Sequence, residues 1–346
     1  MEDRWILHPP GIRVENWVTG LEAPWSLAFL PDGRALVAER KGRIRVIGRD
    51  GKLKARDIGK LEAAVDDEAG LMGIAVHPQF TRSPYVYVMY TWRRGQRRGN
   101  QVFRFRMERE SIVCSEVILG GIPAGDNHNG GRIAFGPDGM LYVGTGDVMQ
   151  RDLSQRLSSR AGKILRVTPE GKVPPGNPNL KSPVWSSGHR NVQGLAWEPG
   201  TNNMYASEHG PSGEVGFGAY DEVNRIVKGG NYGWPLMVGA PKRRGFRDPV
   251  VAWPESATPP SGMVFWQGDL FVATLGSESL VRITMRGGRT ARIERWFNDG
   301  DTAFYGRLRD AVREPDGALY VLTGNRDFRG RPRRGDDKIL RITATR

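Results

Sequence analysis

The sequence predicts an all-β protein, a six-bladed β-propeller whose four-stranded antiparallel blades surround a central channel. Three observations predict this fold. One strand–turn–strand phrase recurs six times, its copies are spaced by roughly 45 to 70 residues, and 46 glycines and 23 prolines are spread over the 346 residues. Glycine and proline at such intervals mark turns between short strands. We therefore predict one propeller domain that covers residues 1–346.

Each copy of the phrase contains an apolar strand, a turn often spelled Pro-Asp-Gly, and a second strand of alternating aromatic and aliphatic residues. This turn is typical of a hairpin, because proline presets φ and glycine accepts a positive φ. The six copies are Trp25–Val37, Gly73–Val88, Arg132–Val143, Gly194–Tyr205, Gly262–Val272 and Leu308–Val321.

A third strand completes most copies, and it carries an arginine within an apolar run. The examples are Gly42–Val46, Gly162–Val167, Glu222–Ile226, Ser279–Ile283 and Asp337–Ile342.

The two ends of the chain are predicted to close the ring. An open sheet edge invites pairing with other chains, so one blade of a propeller usually takes strands from both termini. Ile12–Val18 is expected to supply the outer strand of the blade that ends with Ile339–Thr343. Helices should be few, because no segment keeps a 3.6-residue period, and Leu153–Ala161 and Trp92–Gly99 are predicted to be loops or single turns.

Composition limits the classes of partner. The net charge of +13 favours anionic ligands. No nucleic-acid motif is present, however, and the basic runs Arg93–Arg106 and Arg329–Arg334 are predicted to be solvated loops, so no nucleic-acid partner is expected. The single cysteine, Cys114, excludes an intramolecular disulfide and a thiolate metal cluster, and we expect it to be a small buried hydrophobe.

The sequence has no run of apolar residues long enough to span a bilayer, and its N-terminus lacks the pattern of a signal peptide. A soluble chain is expected. A signal peptide that had been removed would leave no trace.

Polar residues next to the inner strands should share one rim of the channel. Three of the five histidines, His128, His189 and His209, occupy such positions. His128 and Asp147 lie at the same end of the third hairpin, as a base and its orienting carboxylate would. The structural alternative for His128 is to cap the turn before its strand. Packing between blades is favoured for His189, and both roles stay open for His209.

Three arginines at the predicted rim, Arg190, Arg307 and Arg309, point to a polyanionic ligand, since guanidinium groups bind carboxylates and phosphates bidentately. Salt bridges between blades are the alternative, and for any one arginine we favour them. The segments Glu208–Pro211 and Tyr220–Glu222 offer carboxylates and turn carbonyls, which are hard oxygen donors suited to calcium.

Four ordered motifs carry a family resemblance. His128–Arg132, Gly188–Gly194, Glu208–Pro211 and Lys228–Pro235 resemble the soluble sugar dehydrogenases that depend on pyrroloquinoline quinone (PQQ), especially the aldose sugar dehydrogenase branch. The resemblance extends from about Gly20 to the C-terminus. It implies a six-bladed propeller that oxidises aldose sugars at C1 to lactones with PQQ and Ca²⁺ as cofactors.

The resemblance assigns roles to four residues of the third and fourth blades. His128 would take the proton from the sugar C1 hydroxyl while hydride passes to the quinone C5, and Asp147 would orient His128. Arg190 and Asn191 would contact the cofactor, with Arg190 near the reactive carbonyl, where its positive charge would stabilise the developing oxyanion.

Further roles follow from the same resemblance. Arg307 and Arg309 would bind the PQQ carboxylates, the carbonyls of Gly210 and Pro211 would hold the calcium ion that bridges to PQQ, and Glu68 would face the substrate. A second, structural calcium would be held by Glu208, Tyr220, Asp221 and Glu222.

This sequence departs from the glucose dehydrogenase branch at two places. Asn127 stands where that branch has an aspartate, and the loop Gly276–Ser279 lacks a lysine that contacts the cofactor there.

The resemblance also implies an external electron acceptor and a periplasmic or extracellular location, and we expect a monomer. Two other functions stay open. A calcium-dependent lactonase or related hydrolase would need carboxylate and asparagine ligands that converge on the channel axis. A non-catalytic recognition propeller would bind an acidic partner through the rim arginines, and replacing His128 would then leave function intact.

Overall fold

The computed structural model describes residues 3–314 and 316–345, and within them the chain forms six antiparallel β-sheets, the blades of a six-bladed β-propeller. The only helical segments in this part of the chain are two 3₁₀ turns, Arg151–Ser154 and Glu214–Gly216. The strands are, in chain order, β1 (Arg4–Ile6), β2 (Ile12–Val18), β3 (Pro24–Phe29), β4 (Ala35–Glu39), β5 (Arg43–Ile47), β6 (Gly59–Lys60), β7 (Leu71–Val76), β8 (Tyr85–Arg94), β9 (Arg97–Glu108), β10 (Ser111–Ile122), β11 (Ile133–Phe135), β12 (Leu141–Gly144), β13 (Lys163–Val167), β14 (Val184–Ser187), β15 (Val192–Trp197), β16 (Met204–Glu208), β17 (Asp221–Ile226), β18 (Val251–Trp253), β19 (Pro260–Trp266), β20 (Asp269–Thr274), β21 (Leu280–Arg286), β22 (Arg289–Trp296), β23 (Leu308–Arg313), β24 (Leu319–Thr323) and β25 (Ile339–Ala344).

Four of the blades are meanders of strands that follow one another in sequence, and the other two also take a strand from the N-terminal part of the chain. Blades one to four are β3–β6, β7–β10, β11–β14 and β15–β18. Blade six is β23–β25 completed by β2, whose Ile12 lies opposite Ala344, so the predicted closure of the ring is confirmed. Blade five is β19–β22, and it gains a fifth strand because β1 pairs in parallel with β22, which the sequence did not predict.

The chain divides into two compact units. One contains residues 26–193 and 226–248 and holds nearly all of blades one to three. Leu36, Val88 and Phe105 belong to a core cluster of this unit. The other contains residues 194–225 and the described parts of 1–25 and 249–346, with blades four to six. Tyr205 and Phe271 belong to two core clusters of this second unit.

The Pro-Asp-Gly turns share one hydrogen-bond pattern, which explains why the phrase repeats. Oδ1 of Asp32, Asp138 and Asp316 accepts the backbone N–H two residues later, at 3.0, 3.1 and 2.8 Å. The glycine that follows adopts a positive φ, 73° at Gly139, a conformation that costs glycine little. The copy predicted over Leu308–Val321 includes Pro315, which lies outside the described residues.

Two local predictions are wrong. Most of the basic run Arg93–Arg106 lies in the long β8–β9 hairpin and not in a solvated loop. The overlapping segment Trp92–Gly99 belongs to the same hairpin. Apolar residues alternate with its arginines and are buried between the strands, and this period of two favours a sheet. Cys114 is exposed, because it lies on β10, the edge strand of blade two. Leu153–Ala161 is a loop that begins in a 3₁₀ turn, as predicted.

Among the described residues, no helix has the length and apolar character needed to cross a membrane.

Candidate functional site

The third hairpin brings His128 and Asp147 into contact. His128 precedes β11 and Asp147 follows β12, and His128 Nδ1 lies 2.7 Å from Asp147 Oδ1. Backbone hydrogen bonds hold both residues, from Val148 N to the His128 carbonyl (3.2 Å) and from Asp147 N to the Arg190 carbonyl (2.8 Å). His128 is 7% exposed and Asp147 only 1%. Since Nδ1 is engaged by the carboxylate, Nε2 is the nitrogen left for a ligand.

Trp234 holds the other oxygen of the Asp147 carboxylate. Its indole Nε1 donates to Asp147 Oδ2 at 2.8 Å, and the Arg190 guanidinium lies 5.4 Å from the centre of the indole ring. In the sequence analysis Trp234 occurs only within the motif Lys228–Pro235 and has no role of its own. The one signal of a further role for Trp234 was its chemistry, because a buried indole N–H needs a hydrogen-bond acceptor.

Glu68 and Asn191 shape the turn that carries His128. Glu68 Oε2 accepts the His128 backbone N–H at 3.0 Å and lies 3.5 Å from Asn191 Nδ2. Asn191 Oδ1 accepts the Gly130 N–H at 2.9 Å. His128 has a φ of 57°, a left-handed conformation that costs a non-glycine residue about 1 kcal/mol. These bonds offset that cost, and they fix where the imidazole points.

We call Glu68, His128, Asp147, Arg190, Asn191 and Trp234 the His128 cluster. His189 is also fully buried, but its Nε2 bonds to Ser186 Oγ at 2.8 Å and its ring stacks on Tyr232 at 4.7 Å. These contacts agree with the packing role predicted for His189.

A second group of charged residues lies in blade six. Arg309 Nη2 donates to Asp327 Oδ2 at 2.9 Å, and the Arg309 guanidinium stacks over Trp25 at 5.6 Å. Arg307 makes only one side-chain hydrogen bond to the described residues, from Nη1 to the Leu275 carbonyl (3.2 Å), and its Nε is buried without an acceptor there. Burial, and then the positive charge of Arg309, lowers the pKa of Arg307 to about 10. An anion bound here would relieve this repulsion.

The backbone of Arg307 is held by a residue that sequence reasoning missed. Asn325 Oδ1 accepts the Arg307 N–H at 2.9 Å, while Asn325 Nδ2 donates to Asp336 Oδ2 at 3.0 Å. Asp327, the partner of Arg309, was missed as well. We call Arg307, Arg309, Asn325 and Asp327 the Arg309 cluster.

Gly210 and Pro211 form a turn whose carbonyl oxygens accept no hydrogen bond from any residue that the structure describes. Asp221 holds this turn, because its Oδ1 accepts the Gly210 N–H at 2.9 Å and its Oδ2 accepts the Thr258 N–H at 2.6 Å. A Cβ on Gly210 would lie 2.3 Å from the Tyr220 carbonyl oxygen, so only glycine fits. Two uncommitted carbonyls are the donors that a hard cation takes.

Glu208 and Glu222 lie next to the turn on β16 and β17, and they share one amide. Asn224 Nδ2 donates to Glu208 Oε1 at 2.8 Å and to Glu222 Oε2 at 3.1 Å. Asn224 Oδ1 is buried and has no hydrogen-bond donor in the described part of the chain. Tyr220 contacts Phe217 edge to face, with ring centres 5.3 Å apart. Within residues 3–314 and 316–345, no three His, Cys, Asp or Glu side chains converge on one metal position.

Comparison with known proteins shows the family to which this chain belongs. Residues 21–331 match the family model described as glucose/sorbosone dehydrogenase. The chain is 30% identical over 347 residues to the aldose sugar dehydrogenase YliI of Escherichia coli K12, covering 91% of each chain. It is also 30% identical to quinoprotein glucose dehydrogenase B of Acinetobacter calcoaceticus, over 64% of this chain and 52% of that protein.

Solved structures show the same relationship. The PQQ-bound aldose sugar dehydrogenase of Streptomyces coelicolor is 38% identical, with a TM-score of 0.87 and coverage of 97% of this chain and 99% of that one. A putative glucose dehydrogenase from Thermus thermophilus is 49% identical, with a TM-score of 0.90 over 96% of this chain and 100% of the other. This chain therefore belongs to the glucose/sorbosone dehydrogenase family of oxidoreductases.

Proposed function

We propose that the protein is a PQQ- and calcium-dependent dehydrogenase that oxidises aldose sugars at C1 to lactones. The observation that carries this proposal is the buried hydrogen-bond chain in which Trp234 and His128 hold the two oxygens of Asp147. Together with membership of a sugar dehydrogenase family, this chain is the arrangement expected of a base that deprotonates an alcohol.

In this proposal His128 Nε2 removes the proton of the sugar C1 hydroxyl. The hydrogen bond to Asp147 holds the proton of the neutral imidazole on Nδ1, so that the Nε2 lone pair is available. The carboxylate then stabilises the imidazolium that forms. Trp234 keeps Asp147 from rotating away from His128. Glu68 fixes the His128 backbone through Oε2, and we propose that its remaining oxygen faces the sugar.

The charged residues fit PQQ, a tricarboxylate. When bound, PQQ supplies the carbonyl that accepts the hydride, and calcium polarises that carbonyl. Arg307 and Arg309 would pair with PQQ carboxylates, which the unmatched positive charge at Arg307 supports. Arg190 and Asn191 would contact the cofactor as well, with the Arg190 charge placed where negative charge develops.

The uncommitted carbonyls of Gly210 and Pro211 would hold the calcium ion next to PQQ. The second calcium proposed from the sequence would lie near Glu208, Tyr220, Asp221 and Glu222. Glu208 and Glu222 are its best candidate ligands, since the oxygens of Asp221 already accept two backbone N–H groups. Reoxidation of the cofactor requires an external electron acceptor.

A dye-reduction assay with a panel of aldoses tests this function. Purified protein is compared in metal-free buffer, with calcium alone, with PQQ alone, and with both. We expect dye reduction only with both, at rates that depend on the sugar. Hydrolysis of lactones without PQQ would favour the hydrolase alternative. No dye reduction and no absorbance change on adding PQQ would overturn the proposal.

A further inference from the structure

Trp5, on the extra strand of blade five, stands between two surface cavities of the same compact unit. It lines a cavity of about 780 Å³ with Trp253 and Glu255, and a second cavity of about 550 Å³ with Glu278 and Asp301. Trp5 is 37% exposed, so part of its indole ring faces solvent. Both cavities are lined by Trp5, and together we call them the Trp5 groove.

The position of Trp5 is fixed by an unusual buried group. The Arg295 guanidinium lies 4.8 Å from the centre of the Trp5 ring and 5.6 Å from that of Trp253, and Arg295 is only 1% exposed. Its Nε donates to Asp3, which also accepts the Trp253 indole N–H at 3.0 Å, and its Nη2 donates to Thr258 Oγ1 at 2.9 Å. The indole is thus held as a preorganised platform, and a ligand that stacks on it needs little ordering of the protein.

Around the Trp5 ring the groove presents hydrogen-bonding side chains, and few of them are positively charged. The polar residues that line its two cavities beside Trp5 include Glu255, Ser256, Thr290, Asn298, Asp301 and Thr302.

Carboxylates dominate the charge available in the groove. Arg295 is paired with Asp3, and Arg333 Nη1 donates to the carbonyls of Ala303 and Phe304 at 2.8 and 2.9 Å. Glu255 and Asp301 are exposed and Glu278 is half-buried. This acidic lining stands in contrast to the net charge of +13 of the whole chain, and it disfavours phosphates and uronic acids.

An aromatic face flanked by hydroxyl, amide and carboxylate groups matches the chemistry of a pyranose ring, which has an apolar C–H face and a polar edge. We propose that the Trp5 groove is a saccharide-binding site for chains of neutral or amino sugars, with one sugar ring stacked on Trp5. The site is additional to the catalytic site proposed above. Saccharide binding there requires neither PQQ nor calcium.

One residue of the groove acts electrostatically on the Arg309 cluster. Glu278, which lines the smaller cavity, is one of the charges that act on Arg307.

Binding of defined oligosaccharides to the cofactor-free protein tests the proposal. Hexamers of glucose, glucosamine and galacturonic acid are titrated by calorimetry in the presence of a chelator. We expect saturable binding of the first two, tighter for glucosamine at low salt because of the carboxylates, and none of the third. Absence of binding by both the glucose and glucosamine hexamers, or equal binding of the galacturonic acid hexamer, would overturn the proposal.

Variants locate the binding. Trp5→Ala should raise the dissociation constant by about tenfold or more. Trp5→Phe, which keeps an aromatic face, should change it by less than about threefold. Trp185→Ala is the matched control, because Trp185 is a partly buried tryptophan that also lies against an arginine, Arg166 at 5.1 Å, but lines neither cavity. Unchanged binding by Trp5→Ala would refute the assignment.

Two surface variants keep the test decisive if Trp5→Ala does not fold. Glu255→Gln and Asp301→Asn remove exposed charges without touching the core, and together they should reduce the preference for glucosamine over glucose by about threefold or more. An unchanged preference would count against the groove. Dye reduction with a monosaccharide serves as a separate readout, so failure of saccharide binding is distinguishable from failure of the proposed enzyme activity.

Discussion

Blades three and six contain the same hairpin, and they differ at the residue that follows it. Thr145-Gly146-Asp147 ends the hairpin in blade three, and Thr323-Gly324-Asn325 ends it in blade six. In both, the threonine Oγ1 accepts the backbone N–H of the lysine that opens or precedes the third strand, Lys163 or Lys338, at 2.9 Å. The scaffold is the same in the two blades up to this point.

The next side chain separates the two clusters. Asp147 is a carboxylate, and it orients the His128 imidazole. Asn325 is the corresponding amide, and it accepts the backbone N–H of Arg307 and donates to Asp336. One blade therefore carries a buried imidazole and the other carries guanidinium groups. The comparison teaches that the repeat specifies the sheet, while single residues at its end specify chemistry.

The equivalent lysines differ in the same way. Lys163 is fully buried, and its ammonium donates to the carbonyls of Leu153, Ser154 and Ala161 at 2.8, 2.9 and 2.7 Å. Lys338 Nζ instead lies 3.3 Å from the Asp336 carboxylate.

The largest expected effect comes from replacing His128, the proposed catalytic base in blade three. His128→Ala should lower kcat by about 10³ to 10⁴-fold, because it removes the imidazole whose Nε2 takes the proton in the proposed mechanism. PQQ affinity, which depends on the arginines, should change by less than about threefold. Steady-state dye reduction and PQQ titration by absorbance measure the two quantities. Near-normal turnover would remove the assignment of His128 as the base.

Asp147→Asn makes blade three resemble blade six at the compared position. The amide is isosteric, but it cannot stabilise an imidazolium, so we expect kcat to fall by about 10² to 10³-fold while the fold is retained. Turnover at saturating sugar and a thermal melt measure the two properties. The control is Asp138→Asn, which changes a carboxylate at the opposite end of the same hairpin and should leave turnover within about threefold. Equal losses in both variants would contradict the orienting role.

Arg309→Ala tests the other half of the comparison, because it removes a guanidinium group from blade six. Loss of a charge-assisted contact to a PQQ carboxylate should raise the PQQ dissociation constant by about 10 to 100-fold, with kcat at saturating PQQ nearly unchanged. Titration of the cofactor into the calcium-loaded variant gives the constant. Arg341→Ala, a blade-six arginine that pairs with Glu15 and Asp316, provides the control and should bind PQQ normally. Tight binding by Arg309→Ala would rule out this contact.

The smallest expected effect is on stability. Lys163→Met removes a donor from three loop carbonyls, two of which keep a backbone N–H donor, and should lower the free energy of unfolding by about 2 to 4 kcal/mol. Lys338→Met should cost about 1 kcal/mol, because that ammonium is partly solvated. Chemical denaturation of the two variants at one pH makes the comparison. Equal losses would show that the carbonyl cage contributes nothing beyond an ordinary ion pair.

The Lys163 effect should depend on pH. Burial lowers the pKa of Lys163 from 10.5 to about 7, so between these values the unfolded chain holds a proton that the folded chain has lost. The stability of the unsubstituted protein relative to Lys163→Met should therefore rise with pH above 7, by up to about 1.4 kcal/mol per unit. Denaturation at pH 6, 7.5 and 9 checks the sign, and a constant difference would contradict it.

Local patterns in the sequence were sufficient to predict six blades, the Pro-Asp-Gly turns and the closing strand β2. They were also sufficient to place His128 and Asp147 at one end of a single hairpin. The charge runs were less informative, because the arginines of β8 and β9 belong to a sheet whose apolar alternation outweighs their charge.

The sequence by itself determined the scaffold, because strand alternation and turn chemistry act over a few residues and can be read from neighbours. Only the tertiary structure decided which side chains complete the clusters. Trp234 lies 87 residues from Asp147, and Asn325 lies 18 residues from the arginine backbone that it holds. Trp5 reaches Arg295 only because β1 returns to the edge of blade five. Such partners are selected by packing between distant segments, which no local pattern records.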